Sequence, residues 1–284
     1  MWTRRGVVAG GGLLIAGCAA AEQPQMQPSV QPVQPERDYQ YVERFRAIAD
    51  YVAGRLGVCA IDTGNGRTLG TNTNGRFAMA STFKWLLAAA VLKRHEAIPT
   101  ILDQTRRVFE EKNLLDYAPV TRAAFDASTS VIAGKSVASL SLAELCSAAV
   151  SVSDNTAANL LLSHLGGAEG PAALTQFLRE SGDTVTRLDR TEPTLNENAK
   201  GDPRDTTTPA EMAQTMARLL TTDEVLNAAS RARLIGWMRA STTGWTACVR
   251  ACLRSGMRAT RPARAAMAHT TMWRSPSRRA AHPS

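Results

Sequence analysis

From Tyr39 to Leu56 the apolar positions fall at Tyr41, Phe45, Ile48, Ala49 and Val52, steps of three and four that predict an amphipathic helix. Leu56-Gly-Val-Cys-Ala-Ile61 reads as a short β run, Asp62-Thr-Gly-Asn-Gly-Arg67 carries turn chemistry, and Thr68 to Thr73 returns as the second strand of a hairpin. Phe83 to His95 is rich in Ala and Leu and predicts a helix. Ser141 to Val152, Thr156 to Leu165 and Gly170 to Glu180 predict three more, interrupted at Gly166-Gly167 and Gly182. Arg187 to Thr208 has no period and contains Pro193, Pro203, Asn196 and Asn198, an irregular loop of a length that usually has a function. Pro209 opens a further helix with Thr208 as its N-cap. No internal repeat is visible. The order of helix, hairpin, helical block and helix predicts a mixed α/β (α+β) architecture, with an all-helical lobe inserted into a lobe built on an antiparallel sheet flanked by helices.

The two ends read differently from this body. Residues 1–17 place Arg4 and Arg5 before a short apolar stretch with small residues, the pattern of an export signal peptide. Thr3-Arg4-Arg5 with Val7 and Val8 resembles a twin-arginine signal. Leu14-Ile15-Ala16-Gly17-Cys18 resembles a bacterial lipobox, in which Cys18 becomes the acylated first residue of the mature chain; an ordinary cleaved signal with an incidental Cys18 is the alternative. Residues 18–37 are rich in Gln and Pro, an extended tether. The expectation is an exported lipoprotein anchored at the membrane, in the periplasm or cell envelope.

Composition narrows the classes. The 284 residues are 44% hydrophobic and 20% charged, ordinary for a globular chain and unlike a collagen-like, disulfide-dense or disordered one. No apolar run reaches the ~18–20 residues of a membrane span, which excludes a channel or transporter. The net charge of +8, from 33 basic and 25 acidic residues, invites a nucleic-acid partner. Its location removes that reading: the eight Arg of Thr246–Ser284 have no acidic companion, and the rest of the chain is neutral. Cys59 and Cys146 sit in apolar runs and read as small core residues. Cys248-Val-Arg-Ala-Cys252 has no second pair or His to complete a metal site, so neither metal nor cofactor is expected.

Three short motifs carry candidate chemistry. Ser81 and Lys84 lie three apart at the start of a helix, so both share one face, and the helix N-terminus favours negative charge on the Ser oxygen. Ser153-Asp154-Asn155 lies between two helices, where such a turn commonly serves as an N-cap. Arg190-Thr-Glu-Pro-Thr-Leu-Asn196 lies in the long loop, and Glu192 and Asn196, four apart, could hold one water between them. Each alone is common.

Together and in this order they resemble the class A serine β-lactamases, which carry S-x-x-K and S-D-N with a later K-T-G. Leu114-Leu-Asp-Tyr-Ala-Pro-Val120, Ala143-Glu-Leu-Cys146, Ser153-Asp-Asn-Thr-Ala-Ala-Asn-Leu160 and Gly201-Asp-Pro-Arg-Asp-Thr-Thr207 extend the resemblance from about Asp38 to Gly244. The resemblance implies a catalytic domain over 38–245 that hydrolyses the β-lactam amide and confers antibiotic resistance. Ser81 would be the acylated nucleophile, Lys84 would assist its deprotonation, with either Lys84 or Glu192 as the base for acylation, and Ser153 would pass a proton to the β-lactam nitrogen. Asn155 would bind the substrate's side-chain amide, Tyr117 would line the pocket wall, and Glu192 with Asn196 would activate the deacylating water. Arg190 and Asp205 would pin the ends of the loop by an ion pair. Ala80 stands where some carbapenem-hydrolysing relatives place a Cys, which points to penicillins and cephalosporins as substrates. The implied partners are a small-molecule β-lactam and, through the anchor, a membrane; no nucleic acid is expected, and the chain is expected to be a monomer. The rival readings are a penicillin-binding DD-peptidase-like protein, which should lack the Glu192–Asn196 loop, and a non-catalytic envelope-binding remnant.

Two departures stand out. Residues 127–139 are longer than expected between the Tyr117 loop and S-D-N, and read as a surface insertion. More seriously, no K-T-G occurs, the last Lys being Lys200. Arg258 to Ala265 can be spelled CGG GCG ACA AGA CCG GCA CGG GC. The same bases grouped one position earlier encode G-D-K-T-G-T-G. Ala266 to Arg274 regroup to a Gly/Asn-rich turn and then D-V-A, with Val forced by Met272-Trp273. Residues 246–284 therefore read as an out-of-frame basic tail, with the shift near Gly244–Thr246, and the chain as written is expected to fold poorly and to hydrolyse β-lactams weakly.

Overall fold

The computed structural model describes residues 35–52 and 54–243. Helix α1 (Pro35–Val52) leads into the hairpin β1 (Val58–Ile61) and β2 (Thr68–Thr71), paired antiparallel with Val58 opposite Thr71 and Ile61 opposite Thr68. Asp62 makes the turn: its Oδ1 accepts from Gly64 N at 2.9 Å and its Oδ2 from Asn65 Nδ2 at 2.9 Å. Gly66 follows at φ +75°, a left-handed conformation glycine adopts without a steric cost. The helix begins at Pro35, inside the expected tether; proline is tolerated in a first helical turn because its missing N–H has no partner to lose there.

Strand β3 (Phe77–Ala78) precedes α2 (Phe83–Arg94), the short α3 (Ile101–Gln104), β4 (Arg106–Glu110), α4 (Pro119–Asp126), β5 (Val131–Ile132) and β6 (Lys135–Ser141). Helices α5 (Leu142–Ser151), α6 (Asn155–Gly166) and α7 (Gly170–Glu180) follow, then β7 (Thr206–Thr207), α8 (Pro209–Thr221) and α9 (Ala228–Arg239). β7 pairs antiparallel with β3, Thr206 opposite Ala78. The chain thus leaves the sheet-bearing part at residue 78 and rejoins it at 206, with the expected helical lobe between. That lobe also carries a small antiparallel sheet, β4-β6-β5, which no clear alternation announced. The stretch read as an insertion is the β5–β6 hairpin, with Ala133 (φ +51°) and Gly134 (φ +76°) at its turn and Val131 and Ile132 exposed.

The core forms around α2, whose residues Phe83 to Leu92 are all buried. A helix apolar on every side belongs in an interior; α5, α6, α7 and α9 surround it. Each buried Leu there contributes about 1.5–3 kcal/mol. Lys84 is the one charged residue in that stretch and is only 1% exposed. Cys59 and Cys146 are free and buried, as expected, and burial pushes the Cys146 thiol up to about 12. The helix starts follow their capping residues: Ser141 Oγ accepts from Glu144 N, Asp154 from Ala157 N, and Thr208 Oγ1 from Glu211 N. The proposed signal peptide, Cys18, most of the tether and the tail 246–284 lie outside the described residues.

Candidate active site

Ser81 sits in a single 3₁₀ turn, Ala80–Thr82, that runs directly into α2. The turn is entered through Ala80 at φ +43°, a conformation that costs a residue with a Cβ about 1–2 kcal/mol. It leaves Ser81 exposed above a buried Lys84.

Lys84 Nζ is the hub. It donates to Ser81 Oγ at 3.1 Å, to Ser153 Oγ at 3.1 Å, to Ser153 O at 2.8 Å and to Asn155 Oδ1 at 2.6 Å. Glu192 Oε1 lies 3.1 Å from the same nitrogen. Three N–H bonds cannot satisfy five oxygens at once, so the contacts are shared and Nζ can redirect a proton with little movement. Burial lowers the Lys84 pKa from the ordinary ammonium value, while the Glu192 carboxylate beside it and the charge of Asp154 pull it back.

Glu192 is 3% exposed. Its Oε2 accepts from Asn196 Nδ2 at 2.6 Å. Its Oε1 faces Lys84 as an ion pair but receives no directed hydrogen bond, which leaves a lone pair for a water. The Glu192-Pro193 peptide is cis. Asn159 clamps the Glu192 backbone on both sides: Asn159 Nδ2 donates to Glu192 O at 2.9 Å, and Glu192 N donates to Asn159 Oδ1 at 3.0 Å. Asn159 was given no role from sequence. It stands four residues after Asn155 in α6, hence on the same helical face.

Asp154 caps α6, as the Ser153-Asp154-Asn155 turn suggests, and does more. It is fully buried; its Oδ2 accepts from Val120 N at 3.0 Å and Thr121 N at 2.9 Å, and its Oδ1 from Thr121 Oγ1 at 3.0 Å and Ala157 N at 2.8 Å. It binds the start of α4 to the start of α6 between Ser153 and Asn155. Ser153 itself is held at φ +62°. Tyr117 accepts from Asn155 N through its carbonyl at 2.9 Å, and its side chain is half exposed beside that turn.

Arg190 and Asp205 join the two ends of the loop, Nε to Oδ2 at 2.5 Å, and Asp205 Oδ1 also accepts from Asp189 N and Arg190 N. Arg190 Nη1 further donates to Glu197 at 2.6 Å. The structure therefore brings Ser81, Lys84, Ser153, Asn155, Glu192 and Asn196 to one place, with Tyr117 at its edge and Arg190–Asp205 behind it. Among the described residues no three His, Cys, Asp or Glu converge on a point that could hold a metal ion.

The profile of the beta-lactamase enzyme family matches residues 40–259. Beta-lactamase L2 of Stenotrophomonas maltophilia is 47% identical over 213 residues, covering 75% of this chain and 63% of that protein. Beta-lactamase CTX-M-8 of Citrobacter amalonaticus is 43% identical over 202 residues, 71% of this chain and 64% of that protein. The chain thus spans just under two thirds of the length of these curated relatives. Among solved structures, an ancestral class A beta-lactamase of Gram-negative bacteria superimposes with a TM-score of 0.65 at 48% identity, covering 76% of this chain and 75% of that one. A beta-lactamase from Desulfarculus baarsii gives 0.65 at 43% identity, covering 73% and 71%.

Proposed function

The chain belongs to the beta-lactamase enzyme family, in its class A serine branch, and on that premise we propose that its site opens the β-lactam amide of penicillins and cephalosporins through a Ser81 acyl-enzyme. The observation that carries this is the single nitrogen, Lys84 Nζ, within 3.1 Å of Ser81 Oγ, Ser153 Oγ and Glu192 Oε1. Lys84 is the base in direct contact with Ser81, and a buried amine with a lowered pKa is suited to take its proton. Ser81 Oγ then attacks the lactam carbonyl. The backbone N–H of Ser81, at the head of α2, faces the oxygen that becomes negative. Ser153, hydrogen-bonded to the same ammonium, passes a proton to the lactam nitrogen as the C–N bond breaks. Asn155 meets the substrate's side-chain amide beside the Tyr117 wall.

The ester is cleared by water. Glu192 Oε1 offers a free lone pair and Asn196 fixes the other oxygen, so a water between Glu192 and Asn196 can lose its proton to the carboxylate as it attacks. A DD-peptidase that stays acylated has no need of this pair. In the protein from a frame-corrected gene, Glu192→Gln should still acylate, with turnover lower by about 10²–10⁴. Intact-mass spectrometry after mixing with a penicillin should show one persistent adduct in Glu192→Gln and none in Ser81→Ala. An adduct in Ser81→Ala, or unchanged turnover in Glu192→Gln, would overturn the assignment.

Residues 1–17 direct export, Cys18 carries the lipid, and 18–34, the stretch before α1, tether a monomeric domain at the envelope, where hydrolysis protects cell-wall synthesis from the antibiotic. Residues 246–284 are the out-of-frame translation of a segment that in the correct frame carries K-T-G. As written, the protein lacks that wall of the pocket and hydrolyses β-lactams weakly or not at all.

A further inference from the structure

Helices α2 and α6 begin at the site and run away from it together. By the helical rise, their far ends lie about 20 Å from Ser81. There His95, closing α2, meets His164 in the last turn of α6, Nε2 to Nε2 at 2.9 Å. The ring centroids are 5.2 Å apart and the planes 34° apart. The centroids exceed the nitrogens in separation by about two ring radii, so the two nitrogens point head-on at one another. That geometry suits one proton between two lone pairs and does not suit a metal ion approached by both rings from one side.

The surroundings are cationic. Arg94 Nη1 donates to the carbonyls of His164 and Leu165, at 3.3 and 2.5 Å. Arg107, from β4, reaches Ser163 Oγ at 3.4 Å, and its buried Nε has no partner. The neighbouring carboxylate, Glu96, is taken up by Lys93 Nζ at 3.1 Å and Asn227 N at 2.7 Å. The charged side chains that act on the two imidazoles are the cations Arg94 and Arg107.

We propose that His95 and His164 form a proton-counting latch between the far ends of α2 and α6. The latch is closed while a single proton lies between the two Nε2 atoms and is forced open when each carries its own. The neutral pair has one ring donating and the other accepting. One added proton goes to an outer Nδ1 and leaves the central hydrogen bond intact and charge-assisted. A second added proton sets two N–H groups head-on, beside Arg94 and Arg107, and the rings must part. Burial lowers both pKa values, with Arg94 acting on His95 and with His95, Arg94 and Arg107 acting on His164, which falls to about 4. The unfolded chain therefore takes up protons first as pH falls below about 6.5, and folded-state stability declines from there toward pH 4.

The test is a pH titration of ¹⁵N-histidine signals in the full chain and in His95→Gln and His164→Gln. Each ring signal is assigned by its loss in one variant. In the parent both should titrate below the ordinary histidine midpoint, one near pH 4. Removing either ring should raise the midpoint of the other, because the two titrate as a pair. The drop in melting temperature from pH 7.5 to 5 should be smaller in both variants than in the parent. Ordinary midpoints in the parent, or a midpoint in one ring indifferent to loss of the other, would overturn the latch.

Discussion

Asp154→Ala tests how the fold holds the site. The carboxylate is fully buried and accepts three backbone N–H groups, from Val120, Thr121 and Ala157, at 3.0, 2.9 and 2.8 Å, together with the Thr121 hydroxyl at 3.0 Å. A hydrogen bond to a charged group contributes about 1.5–3 kcal/mol, and truncation leaves its donors without a partner in a dry interior. Taking the lower figure for the three N–H groups, and allowing for the release of a buried charge, gives a loss of about 4 kcal/mol. For a domain of this size a urea m-value of about 2–3 kcal/mol/M converts that to a midpoint lower by about 1.3–2 M. Urea unfolding followed by far-ultraviolet circular dichroism reads the shift directly. The activity should fall with it, since Ser153 and Asn155 flank the lost anchor. A midpoint shift below about 0.5 M would refute the argument that this one side chain binds α4 to α6.

Two further substitutions probe the loop and the nucleophile turn. Asn159→Ala removes both contacts to the Glu192 backbone; in the protein from a frame-corrected gene, steady-state turnover should drop by about 10-fold or more through misplacement of the carboxylate, while acylation measured by intact mass persists. Ala80→Gly relieves the φ +43° conformation before Ser81 and should raise stability in thermal unfolding by about 0.5–1 kcal/mol; a loss of stability would show that the Ala80 methyl packs favourably there.

The parts of the molecule legible in the sequence were those whose cause is local. The Ser81–Lys84 spacing placed both residues at one helix start, and Thr208 and Pro209 marked the start of α8. The loop containing Glu192 and Asn196 was visible as a long stretch without period. What stayed hidden depends on partners far along the chain. Asp154 reads as an ordinary N-cap until Val120 and Thr121 fold against it. Asn159 acts only on the backbone 33 residues later. β3 and β7 are two residues each, too short for any alternation, and are strands only because they meet. The β4-β6-β5 sheet mixes exposed and buried residues irregularly, since one face lies against helices and its edge is open. The His95–His164 pair joins two helix ends that no spacing relates.

We propose that Ser81, Lys84, Ser153 and Glu192 in residues 38–245 form one part of a serine β-lactamase site, and that a frame error beyond Gly244 removes its K-T-G wall. The most direct measurement compares hydrolysis of a chromogenic cephalosporin by the protein as written and by the protein from a gene with a single-base correction in codons 244–246. The corrected protein should hydrolyse the substrate, lose that activity in Ser81→Ala, and outpace the protein as written by about 10²–10³-fold or more. Equal rates from the two proteins, or a corrected protein that forms no acyl-enzyme at Ser81, would contradict it.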